Sequence, residues 1–236
     1  YDGFLYPEIN HEVCIHCDKC LEVCPFHQTD RSLRECQSLN CFYGWHHNED
    51  TRAQSTSGGA FSALAELFLE RENSFVYGAL YDEKWHVRHK GIHSQDDLDK
   101  LRQSKYIQSD LGNSYREIKE KLKEHSHVLF CGTPCQVDGL RLFLGKEKEF
   151  ANLLLLEFIC HGVTSPVMFQ SYIRHIEKKN SARVSMFRFR DKVKVGNILS
   201  LGHTTIMFEN GKKHTSECNL YLRGYIRGLM HRESCE

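Results

Sequence analysis

The sequence predicts an α/β domain, residues 51–236, preceded by a small cysteine-rich module, residues 1–50, that takes its order from metal. Three observations predict it. Residues 1 to about 50 are rich in Cys and His and poor in long periodic segments. From about Thr51 the chain alternates between helical and strand patterns, the arrangement that lays helices on a sheet. Four thiols fall within "CIHCDKCLEVCP", Cys14 to Pro25, a density that packing does not explain.

Each element follows from its local pattern. Ala60, Phe61, Ala63, Leu64, Leu67 and Phe68 recur at helical spacing, so Gly59 to Arg71 is a predicted helix. "SFVYGALY" and "WHVRHKGI" are predicted strands around the turn Asp82-Glu83-Lys84. Asp96 to Arg102 and Ser114 to Glu124 read as helices. "HVLFC" and "NLLLLEFIC" are short apolar strands, each followed by a helix. "SMFRFRD" and "LSLGHTTIMFENGKKHTSE" add strands, the second folding back at Asn210-Gly211. A last helix spans Asn219 to Met230.

Composition narrows the classes of function. The chain has 236 residues, 40% of them hydrophobic, enough for a sizeable core. Lys+Arg and Asp+Glu number 31 each, so no basic field argues for nucleic acid. The 15 histidines are scattered, apart from the adjacent His46 and His47, and none is assigned to a metal. The 11 cysteines do not suit a disulfide framework, which belongs to small secreted chains with a signal peptide. No apolar run approaches the roughly 18 residues of a membrane span. The longest, Leu153 to Leu156 with Phe158 and Ile159, reads as a buried strand. A reducing, cytoplasmic setting is expected, with thiolates free to bind metal.

The N-terminal thiols are spaced Cys-x2-Cys-x2-Cys-x3-Cys-Pro. In bacterial ferredoxins with this run, three thiolates hold one [4Fe–4S] cluster and the fourth reaches a second. Cys14, Cys17 and Cys20 are therefore candidate ligands of one cluster and Cys24 of another. Zinc is the alternative, but structural zinc usually gathers two separated Cys/His pairs. Two complete clusters need a twin of this run, expected before Tyr1. Cys36 and Cys41 are either substitutes for it or free thiols in a linker.

A second constellation lies in "HVLFCGTPCQVDGLRLFLG". A strand ends near Cys131, Thr133 is a good N-cap, Pro134 fits the first helical position, and Gly145 closes the helix. Cys135 then sits in the first turn, where the helix dipole favours a thiolate. The pattern recurs in "LLLLEFICHGVTSP": Cys160 ends a strand, His161-Gly162 turn the chain, and Ser165-Pro166 start a helix. If both strands are parallel neighbours, Cys135 and Cys160 share the carboxyl edge of a sheet, where open α/β sheets bind ligands. Cys131 reads as core, and Cys218, outside any motif, as structural.

"STSGGAFSALAE", "LRQSKYIQSDLG", "LFCGTPCQVDGL", "FICHGVTSP" and "HRESCE" occur in this order. Together they resemble the coenzyme F-420 (a deazaflavin) hydrogenase/dehydrogenase beta-subunit family, in its bacterial form with a fused ferredoxin module. The resemblance covers nearly the whole chain. It implies an α/β (α+β mixed-sheet) flavin and iron–sulfur domain that binds FAD with a [4Fe–4S] cluster beside it. Cys135 and Cys160 match family cluster ligands. Cys235 matches the first thiol of a terminal Cys-x2-Cys pair whose second member would be residue 238, so a fragment truncated at both ends is expected. For FAD, Ser57, Gly58 and Gly59 open a helix whose free amides can approach a phosphate. Lys105, Tyr106, Gln108 and Ser109 resemble the family's other flavin-contacting stretch. By pattern alone, the first is also an ordinary helix start and the second an ordinary loop.

Clusters pass one electron and hydride donors two, and a flavin converts between them. The resemblance thus implies a cytoplasmic iron–sulfur flavoprotein oxidoreductase passing electrons between [4Fe–4S] clusters and a two-electron substrate through FAD. Its partner is a redox protein or a small-molecule hydride donor or acceptor, coenzyme F-420 being one candidate. A non-catalytic electron-transfer subunit and a zinc-stabilised structural protein are the competing readings. His161, beside a candidate ligand, is given a supporting or purely structural role and not that of a general acid.

Overall fold

A mixed four-stranded sheet lies at the centre of the chain in the computed structural model, which describes residues 2–27, 40–145, 150–195, 198–217 and 219–235. Its strands are β1 (Ser74–Tyr81), β2 (Val87–Ile92), β3 (His127–Gly132) and β4 (Leu153–Glu157), in the order β2-β1-β3-β4. β1 and β2 pair antiparallel with Val76 opposite Ile92. β3 runs parallel to both β1 and β4. The helices, in chain order, are α1 (Lys19–Glu22), α2 (Glu49–Gln54), α3 (Ala60–Leu69), α4 (Leu98–Leu101), α5 (Ser114–Lys123), α6 (Pro134–Leu144), α7 (Pro166–Asn180) and α8 (Leu220–Ile226).

Alternation along the central strands sends side chains to two faces. Val76 and Leu129 face α3 and α4, where Ala65, Leu98 and Leu101 close one core. Tyr77, Val128 and Phe130 face α5 and α6 and meet Ile118, Leu122, Val137, Leu140 and Leu144. Beyond this layer an antiparallel sheet of β5 (Val184–Val195), β6 (Ile198–Phe208) and β7 (Lys213–Ser216) packs on α7 and α8. Its core is aromatic: Phe169 is fully buried against the rings of Phe187, Phe189 and Tyr221.

Several boundaries differ from expectation for local reasons. α3 starts at Ala60 because Gly59 takes a left-handed φ of 84° as its N-cap. Trp85 and His86 belong to a turn closed on Asp82, so β2 begins at Val87. α8 stops at Ile226, shortly before the left-handed Gly228. β4 stops at Glu157, where its partner β3 ends at Gly132, so Cys160 lies beyond the strand and not at its end. The run Leu153–Leu156 is half-buried, not buried, because β4 is an edge strand. Among the described residues no helix is long and apolar enough to cross a membrane. Cys36 and Cys218 lie outside the described residues.

Candidate functional site

The β3–α6 junction fixes Cys135. Thr133 and Gln136 form a reciprocal capping box, Thr133 N–H donating to Gln136 Oε1 at 3.0 Å, with Pro134 at the first helical position. That places Cys135 in the first turn of α6, its Sγ 3.1 Å from Thr133 Oγ1. Cys131 lies inside β3, packed against the core shared with α3 and α4. Burial pushes its thiol up to about 12.

A short ladder brings the other two thiols to this place. Ile107 bridges Thr164 in parallel and Thr164 bridges His231 antiparallel. Gln108 N–H donates to Thr164 O at 2.9 Å and Arg232 N–H to Val163 O at 3.0 Å. Buried Thr164 also donates from Oγ1 to Tyr106 O at 2.8 Å and touches the Tyr221 hydroxyl. Upstream of Thr164 is Cys160; downstream of His231 is Cys235. Gly162 sits between them at φ 118°, and a Cβ there would lie 3.2 Å from Cys235 Cβ and 3.1 Å from the His231 ring. Only glycine allows that approach.

Cys160 lies within electrostatic reach of both other thiols. Burial raises the Cys160 thiol above its ordinary value, and the nearby Cys135 and Cys235 raise it further as like charges. The Gly162 N–H opposes them, donating to Cys160 Sγ at 3.4 Å. Among the described residues no three His, Cys, Asp or Glu side chains are gathered closely enough to hold a single metal ion. The surroundings suit an anionic group: His231 Nε2, Arg232 Nε and Ser234 Oγ are buried without a hydrogen-bond partner on the turn carrying Cys235. In "HRESCE" the cysteine alone signals a site, and these polar neighbours carry no pattern of their own.

The N-terminal thiols sit on a tightly wound loop. His16 and Asp18 both take φ 53°, on either side of Cys17, and α1 carries Cys20. Cys14 and Cys24 are half-buried, Cys17 and Cys20 exposed. Cys41 is exposed.

The seven residues expected at a flavin are occupied otherwise. Gly58 and Gly59 admit a close approach, but the chain itself makes it: a Cβ on Gly58 would stand 2.7 Å from Gly44 O, and one on Gly59 3.2 Å from His46 Cβ. Ser57 O accepts from Lys192 Nζ at 2.6 Å. Lys105 turns inward and donates to the carbonyls of residues 100–103, at 2.7 Å to Arg102 O. The Tyr106 ring lies 4.4 Å from that of Tyr225, tilted by 36°. Gln108 holds the backbone of Leu5. Ser109 Oγ is 2.9 Å from His89 Nδ1 and accepts from Gln136 Nε2 at 2.8 Å. Placed so, these residues make contacts within the chain.

The cysteine-rich loop at the N-terminal end, carried beside a mixed α/β domain, is that of an iron–sulfur protein. Residues 7–27 match the 4Fe-4S binding domain. Residues 125–236 match the C-terminal part of the coenzyme F420 hydrogenase/dehydrogenase beta subunit, so this part of the chain is similar to that beta-subunit family. It is 25% identical over 180 residues to the F subunit of the F(420)H(2) dehydrogenase of Methanosarcina mazei, a match covering 75% of this chain and 50% of that protein. The chain thus spans half the length of that relative. Its fold is similar to a chain of the F420-reducing [NiFe] hydrogenase complex from Methanosarcina barkeri, with TM-score 0.52, 17% identity, and coverage of 81% of this chain and 62% of that one.

Proposed function

We propose that this chain is the iron–sulfur electron-transfer part of an oxidoreductase. Cys14, Cys17 and Cys20 hold one [4Fe–4S] cluster and Cys24 serves another. Cys135, Cys160 and Cys235 contribute three ligands to a further cluster in the α/β domain. Bound clusters supply one-electron transfer. The chain's part is to hold them at fixed separation and to supply donors to their sulfurs, for which the Gly162 N–H and the unpartnered polar atoms of the Cys235 turn are placed. The observation that carries this reading is the ladder through Thr164, which brings the turns of Cys160 and Cys235 together at Gly162, with Cys135 of the β3–α6 junction near enough to Cys160 to raise its thiol.

The relatives' names point to a deazaflavin as the two-electron partner. In its finer form the reading adds FAD between cluster and substrate, on the strength of the likeness to the beta-subunit family. A redox partner protein is the alternative recipient of the electrons. Flavin content of the anaerobically purified chain separates the two: stoichiometric flavin favours hydride exchange, and clusters without flavin favour the carrier.

Iron analysis tests the cluster assignment. Cys135→Ser or Cys160→Ser is expected to remove one cluster's iron and leave the spectrum of the N-terminal module in place. Cys131→Ser is expected to retain full iron. Unchanged iron in both of the first two variants would sink the assignment.

A further inference from the structure

We propose that residues 3–6 form a strap that fixes the 4Fe-4S module beside Cys160 and Cys235, and that Gln108 and Arg232 are positioning residues for electron transfer between the two thiol sets. The proposal builds on the electron-transfer reading above.

Three independent contacts hold the strap. The Gln108 side chain pairs with Leu5 as a neighbouring strand would, accepting from Leu5 N–H at 2.7 Å and donating to Leu5 O at 2.8 Å. The Arg232 guanidinium lies 4.5 Å from the centre of the Tyr6 ring, a cation–π contact. Gly3, at φ 75°, fits so closely on the start of α7 that a Cβ would come within 2.6 Å of Val167 Cβ and 2.7 Å of Ser165 Oγ.

Each anchor belongs to the scaffold of the second thiol set. Gln108 and Val163–Thr164 are rungs of the ladder that positions Cys160, and Arg232 accepts the N–H of Cys235 on its carbonyl at 2.8 Å. The module is tied on its other side too. His46 N–H donates to Gly58 O at 2.8 Å, and His46 Nε2 lies 2.8 Å from Glu66 Oε2. Between these ties the module has little else to locate it, because no described residue from 2 to 27 is buried. With Tyr6 fixed, Cys14 can lie no farther from it than eight extended residues reach, roughly 26–29 Å. Released from the strap, the module would hang from its other end, and the separation of the two thiol sets would no longer be set.

The test uses the full chain, loaded with iron and sulfide anaerobically, then reduced. Electron paramagnetic resonance should show the cluster signals broadened by spin–spin interaction. Gln108→Met combined with Tyr6→Ala is expected to keep the iron content and lose that broadening, and Gly3→Ala to act likewise. In the same samples Leu5 N–H should exchange with deuterium roughly two- to tenfold faster in Gln108→Met than in the parent, as loss of one hydrogen bond allows. Unchanged broadening in the double variant, or equal Leu5 exchange, overturns the strap. Full iron in Cys135→Ser and Cys160→Ser would instead overturn the electron-transfer reading and the positioning role with it, while Leu5 exchange still judges the strap itself.

Discussion

Lys105 shows how a single residue can belong to the scaffold and yet carry an electrostatic consequence. Its ammonium caps the carbonyls at the end of α4, donating to Lys100, Leu101, Arg102 and Gln103. Those contacts favour the charged form, but burial outweighs them and lowers the ammonium from an ordinary 10.5 to about 7. Between those values the unfolded chain binds more protons than the folded one, so stability from this group rises with pH. Cys131, close by, acts in the opposite sense: its folded value of about 12 lies above its ordinary 9.0, so its contribution falls as pH rises between them. The window in which Lys105 acts alone is therefore pH 7 to 9. Over that range the unfolding free energy of the parent, from urea titration, should climb relative to Lys105→Met, by a slope of at most about 1.4 kcal/mol per pH unit. Parallel pH profiles for the two proteins would show that the ammonium is still solvated. By sequence the residue is a flavin candidate, whereas its burial depends on the packing of α4 against β1, which no local pattern discloses.

Among the elements, α6 is the one on which the second thiol set turns. Its limits are readable from Thr133, Pro134 and Gly145, because capping is local chemistry and needs no distant partner. Thr133→Ala should cost about 1 kcal/mol. In a chain of this size that lowers the melting temperature by roughly 2–4 °C. A thermal scan of the cluster-free protein would measure it, and no change would mean that the cap contributes nothing to α6. Cys135 and Cys160 are legible for the same reason, since each follows a strand–turn–helix signature. Elements that depend on a partner are not. Phe158 and Ile159 continue the apolar run of Leu153–Leu156, but the strand ends where β3 has no further residue to pair beyond Glu157. The separate sheet of β5, β6 and β7 has the same two-residue alternation as any half-buried strand, so its choice of partners is a long-range decision. The bridges Ile107–Thr164 and Thr164–His231 are single rungs and leave no period at all. Cys235 consequently enters the site through family likeness, and the polar atoms beside it through the fold.

At the scale of the whole molecule, stability is divided unequally. Among its described residues the α/β domain has three apolar cores, each closed by helices on strands. Residues 2–27 have no buried side chain, and α1 is a four-residue helix. Apolar burial cannot order such a segment, so its local stability must come from bound metal and from the contacts at Leu5 and Tyr6. Removing iron should then leave the two parts in different states. The cores do not need the clusters, and the domain should keep its circular dichroism and a cooperative thermal transition. The module, which does need them, should open to protease within residues 7–27 while the domain resists. Mass spectrometry of the first cleavage products, with and without iron, would locate the sites. Cleavage spread evenly over the chain after iron removal would mean that the second cluster supports the domain's core as well, and that Cys135, Cys160 and Cys235 are tied to its folding and not only to its chemistry.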